Sequence, residues 1–133
     1  MILHVDPLRF AHRFLRAVRR RFKVTVSLSV RTGFDPATRT ILWRPRDGFE
    51  TLLHEAAHVA LRHRRGDGPG PALGQELDAW LWAEQAAHLW GLPFNYKRAN
   101  RFFTTYTRLV RGAEGWTIQW QHRAPLRRSS TPA

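Results

Sequence analysis

The chain has 133 residues, no cysteine and a formal net charge of +12. That length suits one domain with a single core, and the missing thiols exclude disulfides and thiolate metal sites, so any metal must be held by His, Asp or Glu. No run of eighteen apolar residues occurs and the N-terminus lacks a basic start followed by an apolar stretch, so the expectation is a cytoplasmic chain that neither spans a membrane nor carries a secretory signal.

The positive charge is almost all arginine, with Lys23 and Lys97 the only lysines. Such a surface attracts nucleic acid, acidic partners or anionic lipid, but here the charges are scattered along the chain rather than confined to one stripe. That scatter favours a surface that simply keeps the protein in solution, with a nucleic-acid partner as the alternative that the charge of +12 leaves open.

In chain order, Asp6-Pro7 sets an N-cap and a first-turn proline. Leu8, Ala11, Leu15, Val18 and Phe22 then recur at helical spacing against Arg9, Arg13, Arg16 and Arg20, which predicts an amphipathic helix over 6–21. Val24, Val26, Leu28 and Val30 alternate with polar residues, predicting a strand with one buried face. Gly33 to Pro36 supplies a turn and Thr38 to Trp43 a second strand, so the two are expected to pair as a hairpin. A helix follows over 47–64, capped by Asp47. The run Gly66-Asp67-Gly68-Pro69-Gly70-Pro71 breaks the pattern and predicts an exposed, mobile loop. Further helices are expected over 73–90, ended by Gly91 and Pro93, and over 95–110, capped by Asn95. Trp116, Ile118 and Trp120 alternate as in a last strand. The basic tail 123–133, with Arg123, Arg127 and Arg128, reads as disordered beyond a single domain at 1–122.

Within the 47–64 helix stands His54-Glu55-Ala56-Ala57-His58. Residues four apart share a helical face one turn up, so His54 and His58 can present two imidazoles to one ion. Glu55 lies a hundred degrees round from His54, within reach of a water on that ion but not of the ion itself. This HExxH arrangement suits hydrolysis: the metal acidifies a water and the carboxylate takes its proton.

A catalytic zinc needs a third protein ligand. A histidine six residues past His58 would serve in one known pattern, but that position is Arg64, and His63 is one residue out of place. A carboxylate from the next helix is the alternative. Glu76 and Asp78 point about 200° apart on that helix, so only one can ligate. Glu76 shares its face with Ala79, Ala83 and Ala87, the small residues expected where two helices pack closely, which favours it and leaves Asp78 as the alternative. Glu84 is expected at the surface or behind the ligands. For an oxyanion donor the candidates are His88, Tyr96, Tyr106, Arg64 and Arg65. Trp80, Trp82 and Trp90 are expected in the core rather than stacked on bases.

Over residues 24–90 the chain resembles the gluzincin branch of zinc metallopeptidases, and within it the ImmA/IrrE-like group. The likeness rests on the strand Thr40-Ile41-Leu42-Trp43, the segment Thr51 to Leu61 and the helix bearing Glu76-Leu77-Asp78-Ala79-Trp80. Trp80 stands where that group usually has Asn. The resemblance implies a minimal α+β zincin-like domain, a small sheet against three or four helices with the metal site between the two central ones. It implies Zn2+ held by His54, His58 and Glu76, with Glu55 as general base in peptide-bond hydrolysis of a protein or peptide substrate. The second strand would offer its edge to an extended substrate. Two other readings remain open: a basic nucleic-acid- or protein-binding module of phage or mobile-element type with a structural or vestigial zinc, and a SprT-like protease acting at DNA.

Overall fold

The computed structural model describes residues 11–63 and 69–122. The residues there form an α+β arrangement of four α-helices and one three-stranded sheet. Helix α1 runs His12–Phe22, strand β1 Thr25–Leu28, β2 Gly33–Asp35 and β3 Thr40–Trp43. A 3-10 turn at Pro45–Asp47 leads into α2, Phe49–Ala60, and then come α3, Pro69–Trp90, and α4, Tyr96–Thr107. No helix among the described residues is long and apolar enough to cross a membrane.

Helix α1 buries Phe14 and Val18 and leaves its arginines outside, with Arg19, Arg20 and Arg21 at the C-terminal end where positive charge suits the helix dipole. Its predicted start at Asp6 lies outside the described residues. The sheet differs from the expected hairpin. Strands β1 and β3 are neighbours but parallel, with Thr25 opposite Thr40 and Leu28 opposite Trp43. The antiparallel partner of β3 is the short β2, which pairs Gly33 with Leu42 and Asp35 with Thr40. The chain leaves β1, passes to the far side and returns between the two, giving the order β1-β3-β2. Strand β3 is therefore central, and both of its edges are already hydrogen-bonded. It has none to lend to a substrate, contrary to the sequence-based expectation.

Centrality also explains the burial pattern. Ile41 and Trp43 on β3 are fully buried, whereas Leu28 at the end of the edge strand β1 is half exposed and Val30 beyond it almost wholly so. The alternation from Val24 to Val30 thus buries only its first half. Trp43 is fixed in turn by its indole N–H, which donates to the Gly48 carbonyl at 3.0 Å. Asp47 does not cap α2. Gly48 takes that position, at φ 85°, and Asp47 instead accepts from Thr32 and Arg44. A side chain at Gly48 would collide with the Glu50 carboxylate and the Arg98 guanidinium, which form a largely buried ion pair at 3.0 Å.

Helices α2 and α3 pack against each other more extensively than any other described pair of elements. The reason is composition: Ala56 and Ala57 on α2 and Ala79, Ala83 and Ala87 on α3 are all buried, and such small side chains let the backbones approach. Helix α3 starts earlier than expected, at Pro69, because prolines in a first turn lack only N–H groups that would have no helical partner. Residues 66–68 of the predicted loop lie outside the described residues and its residues 69–71 are helical; the 123–133 tail also lies outside. At its far end α3 closes through Gly91 at φ 66°, with the Leu92 N–H returning to the Ala87 carbonyl. Asn95 caps α4 by accepting from the Arg98 N–H.

Residues 116–121 form no strand. Ile118 is buried and Trp120 half-buried, so these two reach the core, whereas Trp116 is half exposed, and the segment pairs with no strand of the sheet. Side chains hold the segment instead. Glu84 of α3 accepts from the Gln121 and His122 backbone N–H groups at 2.8 Å each, and the Trp120 indole donates to Asn100 at 3.1 Å.

Candidate metal centre

His54 and His58 stand one turn apart on α2, and Glu76 stands in the first half of α3 opposite them. His54 Nε2 lies 2.9 Å from Glu76 Oε2, and His58 Nε2 lies 3.0 Å from Glu76 Oε1. One carboxylate thus receives both imidazoles, and the three residues can direct ligand atoms at a single metal ion. Burial of Glu76 alone would push its carboxyl up, but the hydrogen bonds and charge of the two histidines outweigh this and hold it down at about 2. It is a carboxylate at any physiological pH, the form a cation would bind.

Each imidazole is also held from behind. The His54 ring lies flat on the Trp80 indole, with centroids 4.1 Å apart and planes 17° off parallel. Trp80, expected as plain core, is buried as such and also fixes the plane of His54. His58 Nδ1 lies 2.8 Å from His63 Nδ1. Burial, and after it the neighbouring His58, lower the proton affinity of His63, which favours a neutral ring whose Nδ1 donates or accepts a hydrogen bond with His58 Nδ1 according to tautomer. Without a metal, His58 Nε2–H donates to Glu76 and its Nδ1 accepts from His63; with a metal on Nε2 the His58 proton would shift to Nδ1, which would then donate to His63.

His63 reaches this position through the end of α2. The Arg62 N–H bonds to the Val59 carbonyl and the His63 N–H to the His58 carbonyl, with Arg62 at φ 55°. This is the Schellman pattern, in which the second residue past the cap folds back onto the third from the end. Here those two residues are His63 and His58. Helical spacing could not reveal the pair, because His63 lies beyond the helix. Glycine at position 62 would have flagged the turn, but arginine stands there.

The remaining predicted site residues divide. Glu55 is half-buried and lines a cleft of about 900 Å³ together with His54, His58 and Glu76. Tyr106 lines the same cleft from α4; burial and then the Glu76 charge raise its phenol above the ordinary value, so it stays protonated and able to donate. Asp78 is exposed and is not part of the cluster. Tyr96 donates its hydroxyl to Glu84 at 2.8 Å, and exposed His88 stacks on His122 at 4.0 Å, so neither lines the cleft. Arg64 and Arg65 lie outside the described residues. Glu84 is neither at the surface nor behind the ligands: it is 1% exposed and serves the C-terminal segment.

No protein-family model matches the chain, and no curated protein or solved structure is detectably similar to it.

Proposed function

We propose that the chain is a zinc-dependent hydrolase of peptide bonds, with His54, His58 and Glu76 as metal ligands and Glu55 as general base. The observation that carries this reading is the convergence of two imidazoles and one carboxylate on a point beside Glu55, in an open cleft. Two nitrogens and one oxygen form a donor set suited to a catalytic zinc that keeps one position for water. Around a tetrahedral zinc with bonds of about 2.0–2.1 Å the donors stand about 3.3 Å apart. With one atom from each residue the three donors lie within 4.8 Å of one another, so meeting that spacing requires Glu76 to turn a single oxygen toward the ion in place of one toward each imidazole.

When bound, zinc would polarise the scissile carbonyl and lower the pKa of the attacking water. Glu55 takes the proton from that water and returns it to the leaving amine nitrogen as the carbon–nitrogen bond breaks. Tyr106, the cleft's phenol, donates a hydrogen bond to the substrate oxygen as negative charge grows on it. Trp80 and His63 hold the two imidazoles, the first in plane and the second in tautomer.

The test is zinc content with activity. Wild type is expected to hold one zinc per chain, His58→Ala and Glu76→Ala to hold none, and Glu55→Gln to keep the metal while losing peptide cleavage by at least a hundredfold. Zinc retained with no activity in any variant would make the site structural. No zinc in wild type after incubation with the metal would sink the reading.

A further inference from the structure

The cleft beside the histidine–glutamate cluster gathers four cations. Arg21, Lys23, Arg39 and Arg62 all line it, while the acids among its described lining residues are Glu55 and Glu76. None of these four makes an ion pair with a described acidic residue. Arg39 is anchored rather than neutralised: its Nη2 donates to the Phe22 carbonyl at 2.7 Å and its Nε to the Lys23 carbonyl at 3.2 Å.

A second observation singles out the same residues. Among the described residues, those other than glycine with positive φ are Lys23, Arg39 and Arg62, at 53°, 50° and 55°. Each sits where the chain reverses: past the end of α1, in the turn before β3 and past the end of α2. Glycine or asparagine takes this left-handed conformation readily, whereas other L residues lose roughly 1–2 kcal/mol there. Helix dipoles favour a cation near two of these positions, but a cation on the preceding turn would gain as much without strain. Strain kept at three positions around one cleft points to a ligand.

Resting on the hydrolase reading above, we propose that the substrate is an acidic polypeptide segment, with Asp or Glu side chains flanking the bond to be cut. The arrangement of charge favours a peptide over a nucleic-acid strand. The described acids of the cleft, Glu55 and Glu76, belong to α2 and α3, whereas its cations come from the ends of α1 and α2 and the turn before β3. An extended peptide can lay a neutral backbone along the two carboxylates and send acidic side chains to the cations. A phosphodiester chain carries one charge per nucleotide and would press some of them onto the same carboxylates.

The experiment uses the full chain, zinc-loaded, as the Glu55→Gln variant so that bound peptide survives. Its probes are a fluorescent peptide rich in Glu and Asp, the same peptide with Gln and Asn in their place, and a single-stranded oligonucleotide. The acidic peptide is expected to bind at least tenfold more tightly than its neutral isostere, with affinity falling as salt rises. Lys23→Gly combined with Arg62→Gly removes two charges while suiting the backbone. It is expected to weaken acidic-peptide binding roughly five- to tenfold and leave the protein at least as stable. Equal affinity for the two peptides overturns the proposal. So does an oligonucleotide bound more tightly than the acidic peptide and weakened by the same pair of substitutions. Cleavage by wild type separates the two readings. Equal cutting of both peptides ends the acidic preference and keeps the hydrolase. Selective binding with neither peptide cut ends the hydrolase and keeps the recognition.

Discussion

Helix α3 carries two glutamates, Glu76 and Glu84, two turns apart, and both are fully engaged. Glu76 keeps a fifth of its side chain exposed, and its partners are histidines whose nitrogens can equally serve a metal. Glu84 is sealed from solvent, and its partners are the Tyr96 hydroxyl and the Gln121 and His122 backbone N–H groups, none of them a metal ligand. One helix thus presents the same side chain as a candidate ligand at one end and as a structural clamp at the other. The partners, not the residue type, set the role. The largest effect is expected at the clamp. Glu84→Ala strands three donors and should cost about 3–5 kcal/mol in chemical denaturation, with the zinc content of the remaining folded protein unchanged. Zinc lost from Glu84→Ala protein of wild-type stability would collapse the distinction.

The Glu76 end should respond to acid, and the clamp comparison sharpens there. With its folded-state pKa held down at about 2, against an ordinary value of 4.5, Glu76 favours folding only while ionised. Its contribution, up to about 3 kcal/mol, is complete above the ordinary value and fades as pH falls toward the folded one. In metal-free protein the stability gap between wild type and Glu76→Gln should therefore narrow between about pH 4.5 and pH 2. A gap that stays constant across that range would mean the histidines do not hold the carboxylate as its ion.

Much of this was legible in the sequence, and the misses share a cause. The periodic helices, the HExxH pair and Glu76 on an alanine-rich face follow from spacing along one helix, which a sequence states directly. Sheet order does not: Val24 to Leu28 and Thr40 to Trp43 look alike as hairpin partners or parallel neighbours, and the three-residue β2 between them is too short to announce itself. The last apolar alternation predicted a strand because period two reports one-sided burial, and here that burial comes against Phe94 and Tyr96, not within a sheet. Glu84 could not be told from a surface residue because its donors lie 12, 37 and 38 positions away. His63 and the cleft cations were hidden by the same device, a left-handed residue that is not glycine.

Two smaller effects test that device. His63→Ala leaves His58 Nδ1 without its partner, and zinc affinity should fall about 10- to 100-fold by competition with a chelator, while zinc per chain at saturation stays at one. An unchanged affinity would mean that His63 only fills the turn. The smallest change is expected from Arg62→Gly. Glycine removes the left-handed penalty of roughly 1–2 kcal/mol but gives back about 0.5–1 kcal/mol in unfolded-chain entropy, so the net gain is about 0.5 kcal/mol, measurable in denaturation midpoints. The Schellman turn and the His58–His63 contact should survive, because both depend on the backbone at position 62 and not on its side chain. A variant stabilised by this amount with zinc affinity intact would show that arginine at 62 is kept against the fold's own preference. A destabilised one would show that its side chain supports α2, and the case for a cleft tuned to acidic ligands would then rest on Lys23 and Arg39.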